Sequence, residues 1–146
     1  MLDRSKEVAE SIATKKLIAV IRSICKENDA VQSAYVFGSF VDPKKKKKPK
    51  DIDLAVLLDE TKSEEFFLPS FISALEKPLK RTVDVIVLNR AGEVLKYEVR
   101  RAGKLIFDRS PEVRKRFEVK GRKTYEDFLF LHKRYVSKVL YGIENG

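Results

Sequence analysis

Two aspartates, Asp51 and Asp53, stand two residues apart at the start of an apolar, β-prone segment. Because side chains alternate along a strand, both carboxylates are expected on the same side of it. Two like charges so placed repel each other, and one tends to take up a proton unless a cation lies between them. The chain has one histidine and one cysteine, far apart in sequence, so magnesium or manganese is expected here rather than zinc.

A third aspartate, Asp84, occurs in a second apolar segment. Val83, Val85 and Val87 share one face of the strand predicted there, and Asp84 lies on the other. If the two strands are neighbours, Asp84 completes a carboxylate cluster around two cations roughly 3.5–4 Å apart, an arrangement that stabilises the attacking and leaving oxygens in phosphoryl transfer. An Asp-x-Asp pair alone more often marks a turn or the start of a strand, so the third aspartate is what favours a metal site.

The dipeptide Gly38-Ser39 directly follows a short apolar run at residues 34–37. Glycine lets the backbone come close to a ligand, and serine offers both a hydroxyl and a helix cap. Such a turn can present free backbone amides to a phosphate group. Gly-Ser is a common turn on its own, but here it follows a predicted strand and precedes the Asp-x-Asp pair by a single loop.

Hydrophobic periodicity predicts the elements that position these residues. We expect one domain over residues 1–146, with a core at about 5–108 and a helical tail at about 111–143. The tail carries a predicted interruption at Gly121 and an apolar face. The predicted elements are a helix at 5–26, strands at 34–37, 52–58 and 82–88, a crossover helix from near Pro69, a polar helix at 93–101, a minor strand at 105–107 and the tail; the apolar face of the tail comprises Tyr125, Phe128, Leu129, His132, Tyr135, Val136, Val139 and Leu140.

Composition narrows the class of protein. The net charge is +9, but Lys44 to Lys48 and Lys50 supply six positive charges in one segment, so the positive field is local and does not by itself indicate a nucleic-acid binder. The run is either a solvated loop or a means of attracting a polyanion. One cysteine excludes an internal disulfide, and no apolar run approaches the roughly 20 residues of a membrane span. We therefore expect a cytoplasmic protein without a membrane anchor.

Taken together, these segments resemble the DNA polymerase β-like nucleotidyltransferase superfamily and, within it, the minimal MNT type of prokaryotes. The resemblance covers most of the region from Tyr35 to Phe107. The sequence departs from the family pattern at Phe40-Val41-Asp42, which precedes the lysine run, and at Lys50, where the family often has serine. The matching segments are Phe37-Gly38-Ser39, Asp51-Ile52-Asp53-Leu54-Ala55-Val56, Val83-Asp84-Val85-Ile86-Val87-Leu88-Asn89, Leu95-Lys96-Tyr97-Glu98-Val99 and Gly103-Lys104-Leu105-Ile106-Phe107.

The resemblance implies an α+β fold, with a mixed β-sheet flanked by helices and followed by a C-terminal helical tail. It also implies that Asp51 and Asp53 hold two magnesium ions, and that Asp84 binds one of them and accepts the proton of the attacking hydroxyl. Gly38 and Ser39 would hold the triphosphate of ATP. The product would be a nucleotide joined to the hydroxyl, with pyrophosphate leaving.

Three functions remain open at this point. The resemblance to the MNT type implies an antitoxin that transfers AMP to a tyrosine of a HEPN-domain toxin, and intact carboxylates favour an enzyme. The same site could instead modify a small molecule such as an aminoglycoside, although the chain is short for a second substrate domain. The third reading is a non-catalytic module that masks a partner. Arg122, His132 and Tyr135 do not have the spacing of the Arg–His–Tyr motif of HEPN nucleases, so His132 is expected on a helix face.

Overall fold

The computed structural model describes residues 4–38 and 51–142, with side chains from residue 12 onward. These residues form four α-helices and four strands, and two short 3-10 turns precede α2 and α3. The predicted elements are all present, although the first strand begins three residues earlier than expected. In chain order they are α1 (Arg4–Glu27), β1 (Val31–Phe37), β2 (Asp51–Leu58), α2 (Leu68–Leu79), β3 (Thr82–Val87), α3 (Glu93–Ala102), β4 (Lys104–Asp108) and α4 (Pro111–Tyr141).

The described strands form one mixed sheet in the order β3-β2-β1-β4. β1 is the antiparallel neighbour of both β2 and β4. β2 and β3 are parallel, because α2 carries the chain back to the end at which β2 began. The fold is therefore α+β. The prediction that the second and third strands are neighbours in the sheet is confirmed.

Helices cover both faces of the sheet. One face packs against α1 and α2 through a core that includes Ile21, Leu54 and Leu75, each fully buried. The other face carries a smaller core in which Tyr35 and Leu57 meet Val99 of α3. This division follows the strand period of two, since alternate residues of β2 enter the two cores. The expectation of helices flanking a mixed sheet is confirmed.

The C-terminal end of α1 is closed by an arginine from beyond β4. Arg109 donates hydrogen bonds to the carbonyl oxygens of Cys25 (3.1 Å), Lys26 (3.2 Å) and Asn28 (3.2 Å). The last carbonyls of a helix lack the usual donors from a following turn, and a cation there also compensates the helix dipole. Cys25 is buried, and that burial raises the pKa of its thiol to about 12. The cysteine thus serves as a small core side chain.

The predicted interruption of the tail at Gly121 is wrong, because α4 runs without a break from Pro111 to Tyr141. Gly121 is buried where α4 passes α3, and a Cβ at this position would lie 2.9 Å from Nη1 of Arg100. The glycine therefore makes room for the side chain of Arg100. From the sequence alone, a glycine that serves packing in this way cannot be told from one that interrupts a helix. Across residues 4–38 and 51–142, no helix carries an apolar stretch long enough to cross a bilayer.

Candidate active site

The parallel pairing of β2 and β3 places two of the predicted aspartates side by side. Asp53 and Asp84 are direct partners in the strand register. Adjacent strands lie about 4.8 Å apart, so partners in register have side chains on the same face. The preceding pair, Ile52 with Val83, is buried in the core under α1 and α2. Both carboxylates are therefore directed to the opposite face of the sheet.

Gly38 approaches Asp53 from the neighbouring strand, and Gly38, Asp53 and Asp84 together form what we call the corner of the candidate site. β1 ends at Phe37, which is the antiparallel partner of Asp53. Gly38 follows with a φ of +72°, and a Cβ built on it would overlap Oδ2 of Asp53 and lie 3.2 Å from its Cγ. The backbone thus turns directly against the Asp53 carboxylate, a close approach that only glycine permits. Ser39 and the run from Lys44 to Lys50 lie outside the described residues.

Asp51 stands apart from this pair. It is exposed at the first position of β2, opposite Thr82, and shares a face with Asp53 one pleat further along. Among the residues that the structure describes, no group of three or more His, Cys, Asp or Glu side chains is arranged closely enough to enclose a metal ion. The donor set consists of hard carboxylate oxygens. It suits magnesium held by one or two carboxylates, which takes its other ligands from phosphate and water.

A clamp at the far end of the same two strands holds their register. Asn89 follows β3, and its side-chain carbonyl accepts a hydrogen bond of 2.8 Å from the Leu58 backbone N–H. Its amide donates to the Leu58 carbonyl at 3.0 Å and to Glu60 at 2.8 Å. Because a slip of one residue would turn each side chain to the other face, this contact helps to keep Asp53 opposite Asp84. Asn89 lies in a segment that resembles the family pattern, but its bonds to Leu58 and Glu60 are not predicted by the sequence.

The first part of α4 is bonded to the face of the sheet that carries the aspartates. The Tyr35 hydroxyl donates to Glu118 at 2.8 Å, and Arg114 donates to Asp108 at 2.7 Å and to Glu118 at 3.1 Å. Ser33 also donates to Asp108, at 3.0 Å. Burial, followed by the bond to Glu118, raises the pKa of Tyr35 well above its usual range, so its hydroxyl remains a donor. No local pattern in the sequence predicts this network, because it joins β1 to residues about 80 positions further along the chain.

The chain matches the family model described as polymerase beta, nucleotidyltransferase, over residues 19–112. This span contains β1 to β4, Gly38 and all three aspartates. The chain belongs to the polymerase beta nucleotidyltransferase family. By family, the chain is therefore a nucleotidyltransferase.

Solved structures share the fold of this nucleotidyltransferase. A toxin–antitoxin chain crystallised with AMP-PNP aligns with a TM-score of 0.65 and 24% identity, covering 84% of this chain and 98% of that one. An MntA–HepT toxin–antitoxin chain aligns with a TM-score of 0.60 and 23% identity, covering 89% and 98%. A chain from a complex of tri-AMPylated Shewanella oneidensis HEPN toxin with MNT antitoxin aligns with a TM-score of 0.59 and 24% identity, covering 89% of this chain and 98% of that one. No curated protein sequence matches the chain.

Proposed function

We propose that this nucleotidyltransferase transfers AMP from ATP to a tyrosine hydroxyl of a HEPN-domain partner and so acts as the antitoxin of a pair. The observation that carries the proposal is the in-register pair of Asp53 and Asp84 beside Gly38. A module that only masks a partner has no need of two carboxylates directed to the same face. Two carboxylates on the same face of neighbouring strands offer the hard oxygen ligands that magnesium prefers, which supports a site built for metal and phosphate.

The reaction follows from these groups. The acceptor oxygen bonds to the α-phosphorus of ATP, the bond from that phosphorus to the bridging oxygen breaks, and pyrophosphate leaves. Asp84 would take the proton of the hydroxyl, and the backbone at Gly38 would lie along the phosphates. Asp51, Asp53 and Asp84 would hold magnesium, which when bound offsets the charge of carboxylates and triphosphate and polarises the phosphoryl oxygens.

The choice of acceptor is supported by the solved relatives and by an exposed surface on α4. One relative was crystallised with an ATP analogue, and another lies beside a HEPN toxin that carries AMP groups. Within the described residues, α1, α2, α3 and the first part of α4 pack against the sheet, and the outer part of α4 exposes apolar side chains that offer a second surface. A protein acceptor brings its own binding surface, so no enclosed acceptor pocket is needed.

The test is a transfer assay with ATP labelled on the α-phosphate, magnesium and the purified products of the flanking genes. We expect label on one partner protein, dependent on a partner tyrosine and lost when magnesium is chelated. Asp53→Asn and Asp84→Asn should each lower the rate at least about 100-fold, because each replaces a charged carboxylate that would hold magnesium against the phosphates with a neutral amide. Both variants should keep the thermal unfolding transition of the wild type.

A matched control is Asp29→Asn. Asp29 is an exposed carboxylate just before β1, at the opposite end of that strand from Gly38. The Asp29→Asn variant loses the same negative charge at a position far from the candidate site, so its rate of AMP transfer should equal that of the wild type. Label found only on small molecules would reject the partner protein as acceptor, and full activity of Asp53→Asn would reject the catalytic site itself.

A further inference from the structure

The outer part of α4 extends away from the body of the molecule. α4 is linked to α3 by a hydrogen bond of 3.2 Å from Thr124 to Glu93 and by the stacked rings of Tyr97 and Tyr125, whose centroids are 4.3 Å apart. Beyond these, the distal segment, residues 129–141, is exposed except at Val136 and Ser137, which are half-buried. At a rise of 1.5 Å per residue, this segment is about 18 Å long.

The distal segment presents apolar side chains to solvent. Leu131, Tyr135 and Val139 recur every four residues and form one ridge, which is 63%, 65% and 58% exposed along its length. Leu129, Val136 and Leu140 form a second ridge beside it. His132 lies between the two ridges, and the rest of this face is apolar. An exposed, largely apolar face of this size on a helix is typical of an element that binds in a groove, with anchors at spacings of three, four and seven residues.

The charges of the distal segment argue against a second copy of this chain as the occupant. The segment contains Lys133, Arg134 and Lys138 and no acidic residue. Helical spacing places Lys133 and Lys138 at the two edges of the apolar face. Two such faces laid against each other would bring like charges together without compensation, which disfavours self-association.

A lipid surface fits less well than a protein groove. A helix that lies on a membrane keeps one face strongly polar. Here Phe130 and Tyr141 lie on the side opposite Val139 and are 62% and 72% exposed, and the Arg134 guanidinium lies over the Phe130 ring at 5.8 Å from its centroid. Apolar residues on both sides of a helix are expected where walls of protein cover it.

We infer that residues 129–141 are the docking helix for the protein acceptor, and that they insert into an apolar groove edged by aspartate and glutamate. This inference rests on the proposed function, since it concerns the acceptor of that reaction. The two ridges supply the buried contact, and Lys133 and Lys138 meet the acidic edges. Aromatic anchors such as Tyr135 are the residue type that most often dominates interfaces of this kind.

The test compares Val139→Glu with Val119→Glu, using the partner that accepts label from the wild-type enzyme. Both valines lie on α4 and are similarly exposed, at 58% and 63%, so neither change disturbs a core. We expect Val139→Glu to weaken partner affinity at least about tenfold, measured by surface plasmon resonance, while Val119→Glu stays within about twofold of the wild type. Lys138→Glu should slow association and reduce its salt dependence, with Lys120→Glu as its control.

The outcomes separate this inference from the proposed function. If no partner protein accepts label from the wild type, the proposed function fails, and the docking inference fails with it. If the wild type labels a partner but Val139→Glu binds it as tightly, only the docking inference is overturned. The docking inference is also overturned if light scattering shows that the wild type is a dimer and that Val139→Glu is a monomer. It is likewise overturned if Val139→Glu abolishes binding to vesicles of anionic lipid while its affinity for the partner stays unchanged.

Discussion

At the scale of single residues, the contact between Gly38 and Asp53 is the most sensitive point of the candidate site. Gly38→Ala should lower the rate of AMP transfer at least about tenfold, because the new methyl group overlaps the Asp53 carboxylate and either moves it or shifts the turn. The left-handed backbone at this position adds a cost of about 1 kcal/mol to the free energy of folding. The measurements are steady-state transfer and urea unfolding of the same preparation.

Gly142→Ala provides the matched control. Gly142 also has a positive φ, +54°, but a Cβ there meets no atom within 4 Å. It carries the same backbone cost without approaching a carboxylate. If both variants lose transfer equally, the effect comes from backbone strain or lower stability, and the contact with Asp53 has no special role.

At the scale of elements, the position of α4 depends on Arg114, whose bonds to Asp108 and Glu118 join it to β4 and, through Tyr35, to β1. Arg114→Met should lower the free energy of unfolding by about 2–3 kcal/mol, because it leaves two partly buried carboxylates without their shared cation. Urea denaturation measures this change.

The neighbouring Arg116 is exposed on the same helix. Arg116→Met should change the free energy of unfolding by no more than about 0.5 kcal/mol. Similar losses in both variants would show that the positive charge of α4, and not this hydrogen-bond network, stabilises the fold. A large loss of unfolding free energy in Arg114→Met alone would show that this arginine stabilises the fold, while the aspartates of the candidate site remain unchanged.

At the scale of the whole molecule, the uneven distribution of charge should affect encounter more than reaction. Six of the lysines lie between Lys44 and Lys50, in the segment that links Gly38 to Asp51. Replacing Lys44 to Lys48 with serine should slow association with a polyanionic substrate or an acidic partner and flatten its dependence on salt, while turnover at saturation changes little. Stopped-flow binding at several ionic strengths, together with saturated turnover, tests this. A large fall in saturated turnover with unchanged binding would assign the lysines to the chemical step.

Local patterns in the sequence were sufficient to predict the elements and the face on which each aspartate lies. Strand alternation separates Asp84 from Val83 and Val85, and the apolar runs predict β2 and β3, because both signals arise from neighbours along the chain. The Gly38 turn follows from the end of an apolar run. The resemblance to a known family added the expected chemistry of these positions.

Other features depend on contacts between distant parts of the chain, and only the tertiary structure decided them. The pairing of Asp53 with Asp84 depends on the return path through α2 and on the Asn89 clamp, which set the register of two strands about 30 residues apart. Gly121 looks like a helix break until Arg100 is seen packed against it. Periodicity predicted an apolar stripe on the tail. Whether α3 covers a given residue of that stripe depends on where the two helices cross. The crossing point cannot be read from the sequence, because it is set by packing between residues that are far apart along the chain.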